Sequence, residues 1–138
     1  MKHFVFLITL FFLTACTTSI SKEELLKLNG YWEIVEVEFN NGQKKSYKVN
    51  PSIDYIELKE MKGFKKKVQP KFDGTYNISN DSEPFTIIEK NGTFLLTYSN
   101  ALSEWEEQLL HLKDNTFTIK NEDNITYTYK RYEPIKIQ

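Results

Sequence analysis

Short apolar segments separated by turn residues fill most of this 138-residue chain, and their spacing restricts the fold more than any other feature. From residue 31 onward, segments rich in Tyr, Ile, Phe, Val and Thr recur at intervals of about eight to twelve residues, with Gly, Asn, Asp and Pro between them. None of the intervening stretches is long enough for the helical crossover that parallel strands need. The sequence therefore predicts an antiparallel meander.

Nine strands are predicted from this pattern. They lie near residues 31–40, 53–61, 63–69, 73–79, 84–90, 93–99, 104–113, 116–121 and 125–132. Asn91-Gly92 is the clearest hairpin turn, because both central residues of a type I′ turn need a positive φ. Such a meander leaves two exposed edges unless it closes on itself. We therefore expect an all-β, up-and-down antiparallel barrel of about eight or nine strands.

The N-terminal segment has the composition of a secretory signal. Lys2 precedes an apolar run over residues 4–13, which is shorter than the roughly 20 residues that cross a membrane. The following Leu-Thr-Ala-Cys, residues 13–16, resembles the lipobox of bacterial lipoproteins. That resemblance implies cleavage before Cys16, acylation of this residue, and stable anchoring by two or more acyl chains. The alternative is a conventional signal peptide whose cysteine is incidental.

These features divide the chain into a signal peptide (1–15), a lipidated tether (16–21) and one barrel domain (22–138). We expect a lipid-anchored protein of the bacterial cell envelope, held at the outer membrane. Cys16 is the sole cysteine, which excludes an intramolecular disulfide. The formal net charge of −1 gives no basic surface of the kind that nucleic acid requires, so we expect no nucleic-acid partner.

A short helix is predicted immediately before the first strand. Ser21 and Glu24 have the spacing of a capping box ahead of a leucine-rich stretch, and Gly30 follows as a stop, which indicates about two helical turns. The apolar side of the strand then changes halfway along. Trp32 shares one parity with Ile34, whereas the apolar residues after Ile34 have the other parity. This change predicts a β-bulge or bend after Ile34.

The helix followed by Gly-x-Trp on the first strand of a meander resembles the lipocalin superfamily, and in particular the small bacterial lipocalin-like lipoproteins. The resemblance implies that Trp32 closes one end of the barrel and that an arginine of the last strand packs across its ring. Arg131, the single arginine of the chain, falls at that position. Trp32, Arg131 and Gly30 are therefore expected to form a barrel-closing group. The alternative is that Arg131 and Lys130 form a solvated pair.

The sequence predicts no catalytic constellation. His3 would be removed with the signal, which leaves His111, placed by alternation on one strand face with Trp105, Glu107 and Leu109. A lone histidine and an acylated cysteine give neither a nucleophilic site nor a histidine-rich metal site. The three glutamates around Trp105 are split between the two faces of the strand. We therefore expect no enzyme activity, no metal site and no cofactor.

The predicted inner face of the barrel is aromatic, with hydroxyl groups. Its predicted residues are Trp32, Ile34, Ile56, Leu58, Phe64, Val68, Tyr76, Ile78, Phe94, Leu96, Tyr98, Trp105, Leu109, Phe117, Ile119, Tyr127, Tyr129 and Arg131. Two functions stay open. The barrel binds a small hydrophobic or amphipathic ligand, with Trp105, Tyr127, Tyr129 and Lys66 as lining residues, or a filled barrel binds another envelope protein. Lys66 is included because it shares a parity with Phe64, although a run of lysines also suits a solvated edge.

Overall fold

The computed structural model describes residues 19–134, which form a β-barrel preceded by one short helix. The signal region and Cys16 lie outside the described residues. The helix is a 3₁₀ helix, Glu23–Leu28. The strands are β1 (Gly30–Glu38), β2 (Lys44–Ser46), β3 (Ile53–Lys59), β4 (Lys62–Pro70), β5 (Tyr76–Lys90), β6 (Thr93–Ser99), β7 (Glu104–Leu112), β8 (Thr116–Asn121) and β9 (Thr126–Arg131). The predicted all-β class is confirmed.

Eight of these strands close into a barrel. β1 pairs with β3, the pairing continues in chain order to β9, and β9 pairs with β1, always antiparallel. β2 pairs only with the second half of β1. This order places the helix and the β3–β4, β5–β6 and β7–β8 turns at one end, called here the closed end. The β1–β2, β6–β7 and β8–β9 loops lie at the other end, called the mouth.

The capping box is present at the start of the helix. The backbone N–H of Ser21 donates to Oε2 of Glu24 at 2.9 Å, and the N–H of Glu24 donates to Oγ of Ser21 at 3.4 Å. Leu25 and Leu28 are buried in the core of the barrel, and the helix packs against β3 and β7. The helix therefore covers the closed end.

A β-bulge interrupts β1 where its apolar side changes. The register between β1 and β9 shifts between Ile34 and Glu36, which leaves Val35 as the extra residue. Trp32 and Ile34 pack in the interior before the bulge, and Val37 is buried after it. The predicted bulge is confirmed, and it bends β1 with the wall of the barrel.

Two strand predictions were wrong. The segments predicted as separate strands, 73–79 and 84–90, are joined in the single strand β5, which begins at Tyr76. Its polar middle pairs with lysines of β4, as in the opposition of Lys65 and Glu83, so opposite charges sustain the strand where apolar residues are missing. The short strand β2 was not predicted, because its three residues are polar and exposed.

The predicted inner face of β4 was also wrong. Phe64, Lys66 and Val68 share one face as expected, but that face is the outer one, since Lys66 lies opposite Tyr55. The inner face of β4 carries Gly63, Lys65 and Lys67 instead, opposite the inward residues of β3. The apolar residues of β4 do not indicate its inner face, because aromatic side chains cover the outer surface of β3 and β4.

Aromatic rings form that outer cover. Tyr76, predicted to face inward, stacks on Tyr31 with ring centroids 4.6 Å apart, and Tyr31 lies 4.8 Å from the ring of Tyr55. Val68, on the same outer face and opposite Ile53, is also buried, with 3% of its surface exposed. Ile78, also predicted to face inward, is 66% exposed.

Large apolar side chains fill the barrel interior. The buried core cluster contains Leu25, Leu28, Trp32, Ile56, Leu58, Phe85, Ile87, Phe94, Leu96, Tyr98, Leu109, Leu112, Phe117, Ile119 and Tyr129. An eight-stranded barrel is just wide enough for side chains to fill it or to hold one small ligand. No helix within residues 19–134 has both the length and the apolar character needed to cross a bilayer.

Candidate functional site

Trp32 plugs the closed end. Its side chain has no exposed surface, and its indole N–H donates to the carbonyl of Leu28 at 2.8 Å. The edge of the ring meets Phe117, with centroids 4.7 Å apart at 85°. The indole is thus hydrogen-bonded to the helix and packed against β8, so it joins the helix to the barrel.

Arg131 lies across the other side of the Trp32 ring. The centre of its guanidinium is 3.8 Å from the ring centroid, a cation–π distance. The guanidinium also donates to the carbonyl oxygens of Asn29 at 2.5 Å, Lys27 at 2.8 Å and Asp114 at 2.8 Å. A planar guanidinium with five donors suits this role better than an ammonium. Arg131 therefore ties the last strand to the helix and to the β7–β8 turn.

The guanidinium of Arg131 leaves no room for a side chain at residue 30, which is Gly30. A Cβ atom at Gly30 would lie 2.6 Å from Nη1 of Arg131, and its φ of +123° is rarely adopted by other residues. The structure thus brings together the three residues Gly30, Trp32 and Arg131.

A cluster of polar side chains lies in the interior, further along the strands from Trp32. Nζ of Lys65 lies 3.8 Å from Oε1 of Glu107 and 3.8 Å from Oε2 of Glu83. The hydroxyl of Tyr98 donates to Oε2 of Glu107 at 3.3 Å, and Lys65 lies 5.2 Å above the Tyr98 ring. Lys65, Glu83, Glu107 and Tyr98 are called here the interior polar cluster.

A second charged pair lies beside this cluster. Asp54 is only 2% exposed, and Nζ of Lys67 is 2.6 Å from its Oδ1. Burial raises the pKa of the Tyr129 hydroxyl well above its ordinary value, and the negative charges of Asp54 and Glu107 raise it further. Buried charges are costly unless they are paired. Of these two pairs, only Lys65 and Glu107 are both largely buried, whereas the partner of Asp54, Lys67, keeps 58% of its side chain exposed.

Aromatic rings adjoin the interior polar cluster. Trp105 stacks on Tyr98, with ring centroids 5.1 Å apart and planes 3° apart, and it is only partly buried. Tyr127 is partly buried against the core, and Tyr129 stacks on Phe117 at 4.5 Å. The predicted lining residues Trp105, Tyr127 and Tyr129 therefore all lie on the inner side of the barrel.

Lys66, the fourth predicted lining residue, does not lie on the inner side of the barrel. It faces outward, where its Nζ lies 5.2 Å above the ring of Phe64. Its neighbours Lys65 and Lys67 lie on the inner face of β4, where the side chain of Lys65 is largely buried and that of Lys67 stays exposed. One feature of the sequence indicates that a lysine lies inside. Glu107 falls between the inward residues Trp105 and Leu109, and an inward carboxylate needs a basic partner.

His111 was predicted on one strand face with Trp105, Glu107 and Leu109, and this prediction was wrong. The register of β7 and β8 shifts between Leu109 and His111, so that Leu112 becomes the buried residue and His111 is exposed. Among the described residues, no group of three or more His, Cys, Asp or Glu is placed to hold a metal ion.

An open groove of about 740 Å³ runs along β4 to β7 and reaches Glu122 of the β8–β9 loop. Tyr98 and Trp105 belong both to this groove and to the aromatic stack beside the interior polar cluster. The rest of the lining mixes apolar and polar groups. These residues are Lys62, Gly63, Pro84, Phe85, Thr86, Thr97, Ser99, Glu104, Glu106 and Glu122.

Glu107 makes the stability of the barrel depend on pH. Burial raises the pKa of its carboxyl above 4.5, and the attraction of Lys65 offsets only part of that rise. A carboxyl whose pKa is higher in the folded than in the unfolded state is protonated more readily when folded. Its contribution to stability is therefore fully present below pH 4.5 and is lost as the pH rises through the raised pKa.

Glu107→Gln is expected to remove this pH dependence, because glutamine imitates the protonated carboxyl and still accepts from Tyr98. The difference in unfolding free energy between variant and wild type should be small near pH 4.5 and should favour the variant increasingly toward neutral pH. Urea unfolding over this range measures it, and Glu106→Gln, on the exposed face of the same strand, is the control. A difference in unfolding free energy that stays constant at all pH values would contradict the attribution of the pH dependence to Glu107.

Comparison with known proteins places this barrel in a family. A sequence model described as a lipocalin-like domain matches residues 28–119, more than half of the chain. The chain belongs to the lipocalin-like domain family. No curated protein sequence matches this lipocalin-like protein.

Three solved structures resemble the lipocalin-like barrel at low sequence identity. A lipocalin-like protein from Bacteroides uniformis is 8% identical, with 77% of this chain and 99% of that chain covered and a TM-score of 0.48. Apocrustacyanin C1 is 8% identical, with coverages of 84% and 67% and a TM-score of 0.50. Lobster apocrustacyanin A1 is 10% identical, with coverages of 86% and 73% and a TM-score of 0.46. At these identities the similarity concerns the fold alone.

Proposed function

We propose that this lipocalin-like protein is a lipid-anchored protein of the bacterial cell envelope that binds a small amphipathic molecule. The observation that carries the proposal is the open groove of about 740 Å³ beside Trp105 and Tyr98, next to buried charged groups. A volume of this size falls within the range of about 300–1,000 Å³ that ligand pockets occupy. The proposed activity is binding and not catalysis.

The ligand is amphipathic because the lining offers both kinds of contact. The partly exposed ring of Trp105 presents apolar surface, whereas Thr86 presents a hydroxyl group and Glu104 a carboxylate. The barrel interior itself is filled by the core cluster, which leaves the groove and the adjoining aromatic stack as the binding surface. A long apolar chain buried along the barrel axis does not fit this arrangement.

The two tryptophans of the protein allow a direct test. Trp32→Phe leaves Trp105 as the only indole, and Trp105→Phe leaves only the plug at the closed end. We expect titration with dodecylamine, dodecanoic acid and dodecanol to change the emission of Trp105 saturably for at least one of the three, with little change for Trp32. Trp105→Ala should weaken that binding by about tenfold or more, the effect of removing a large apolar contact. An unresponsive Trp105 with all three probes would contradict the proposal.

The filled interior favours a second candidate function, in which the barrel binds another protein of the envelope. Residues that could have lined a deep cavity, such as Phe94, Leu96 and Ile119, are at most 4% exposed. In that case the groove receives part of the partner and no small molecule. Co-purification of a second polypeptide in place of a small molecule would support this alternative.

Lipidation of Cys16 is tested separately from ligand binding. Cells fed an alkyne analogue of palmitate should label the wild-type protein, and Cys16→Ser should abolish the label because the chain has no other cysteine. Thr18→Ser, a substitution near the same site, should keep the label. An unlabelled wild-type protein, or a labelled Cys16→Ser variant, would overturn the lipid anchor.

A further inference from the structure

The N-terminal end of the described chain meets the barrel at its closed end. Ile20 packs against the core cluster. Ser19 and Ile20 line a groove of about 370 Å³ together with Leu112 and Asp114, which flank the β7–β8 turn, and with Lys27 of the helix. The segment that leads from the signal region therefore arrives beside the helix, away from the mouth.

Few residues connect this point to the proposed anchor. Cys16 and Ser19 are three positions apart in the sequence. An extended chain spans at most about 3.6 Å per residue, so Cys16 lies within roughly 11 Å of Ser19. Strands of nine residues, such as β1 and β7, span about 30 Å, or roughly 23 Å along the axis of a barrel with ordinary tilt. The mouth is thus further from Cys16 than the closed end.

The surface of the closed end suits contact with a lipid bilayer. Leu26 points away from the core and is 57% exposed, although its helix neighbours Leu25 and Leu28 are buried. The same end carries exposed charges of both signs, since Lys22 lies 3.9 Å from Glu89 and the exposed Lys113 is followed by the exposed Asp114. An exposed leucine on a polar surface matches the interfacial region of a membrane.

We propose that the closed end of the barrel is its membrane-facing surface, and that the mouth points away from the bilayer that holds Cys16. The inference rests on the proposed lipidation of Cys16. Its consequence is that the groove beside Trp105, which reaches the mouth at Glu122, collects its occupant from the aqueous side. The protein does not extract that occupant directly from the lipids of its own anchoring leaflet.

Energy transfer to the membrane tests this orientation on the full lipidated protein. Because Cys16 is acylated, one introduced cysteine is the only free thiol. Asn115→Cys places a donor fluorophore in the β7–β8 turn at the closed end, and Leu102→Cys places it in the β6–β7 loop at the mouth, where Leu102 is 95% exposed. The protein is reconstituted in vesicles of phosphatidylethanolamine and phosphatidylglycerol that carry a rhodamine-labelled lipid as acceptor.

The donor at residue 115 should be quenched several-fold more strongly than the donor at residue 102. Adding Leu26→Glu should reduce the quenching at residue 115 by about twofold, because a charge replaces the apolar contact with the interface. Lys45→Glu, on β2 and remote from the closed end, should leave it unchanged. Equal quenching at both positions, or stronger quenching at residue 102, would overturn the orientation.

A protein that is not lipidated at Cys16 would give a result different from that of a lipidated protein with the opposite orientation. A protein without acyl chains would not float with the vesicles, and its wild-type Cys16 thiol would react with maleimide. That outcome overturns both the anchor and the orientation. Flotation combined with equal quenching overturns the orientation alone.

Discussion

Replacing Trp32 by alanine is expected to lower the free energy of unfolding by about 3–5 kcal/mol, the usual cost of truncating a fully buried tryptophan. The ring has no exposed surface and packs between Phe117 and Arg131. Truncation also removes the 2.8 Å hydrogen bond that the carbonyl of Leu28 accepts from the indole N–H. Since domains are stable by only about 5–15 kcal/mol, this change removes a large share of the total.

Trp105→Ala is the matched control for this prediction. Trp105 is only partly buried, so its truncation should cost less, about 1–2 kcal/mol. Urea unfolding followed by far-ultraviolet circular dichroism measures both variants without depending on tryptophan emission. Equal losses for the two variants, or a loss at Trp32 below about 1 kcal/mol, would contradict the role of Trp32 as the plug of the closed end.

Arg131→Lys is expected to lower the free energy of unfolding by about 2–3 kcal/mol even though it keeps the charge. An ammonium cannot lie flat on the Trp32 ring and at the same time reach the carbonyls of Asn29, Lys27 and Asp114. At least one of these acceptors loses its partner. The helix should consequently detach more readily from the closed end.

Hydrogen exchange makes this second prediction specific. In Arg131→Lys, protection should fall first in the helix Glu23–Leu28 and in the β7–β8 turn, which the guanidinium joins. The control is Lys130→Ala, which removes the ion pair of the half-exposed Lys130 with Glu33 at 3.1 Å and should cost about 1 kcal/mol. A uniform loss of protection, or no loss beyond that of the control, would show that Arg131 is not the connecting residue.

Much of the barrel could be predicted because its local signals are strong. The turn at Asn91-Gly92 has φ values of +54° and +75°, as a type I′ turn needs, and the strand that follows it, Thr93–Ser99, has its predicted range. The bulge in β1 was visible as a change of apolar parity. In each case neighbouring residues alone decide the conformation.

The errors arise where the partner of a residue is distant in the sequence. Lys65 lies inside, where it pairs with Glu83 and Glu107, whereas the apolar Val68 lies on the outer face and is buried there. Nothing in the local sequence of β4 distinguishes these positions. The same holds for the candidate site: aromatic residues indicated Trp105, Tyr127 and Tyr129, whereas Asp54 and Lys65 depend on cross-strand pairs that alternation alone does not reveal.

Native mass spectrometry of the protein, purified in mild detergent from its own cell envelope, tests the proposed ligand binding most directly. The proposed ligand binding predicts a co-purifying small molecule of defined mass, present on the wild-type protein and largely lost from Trp105→Ala. A spectrum that shows only the protein, or the protein bound to a second polypeptide, would contradict it.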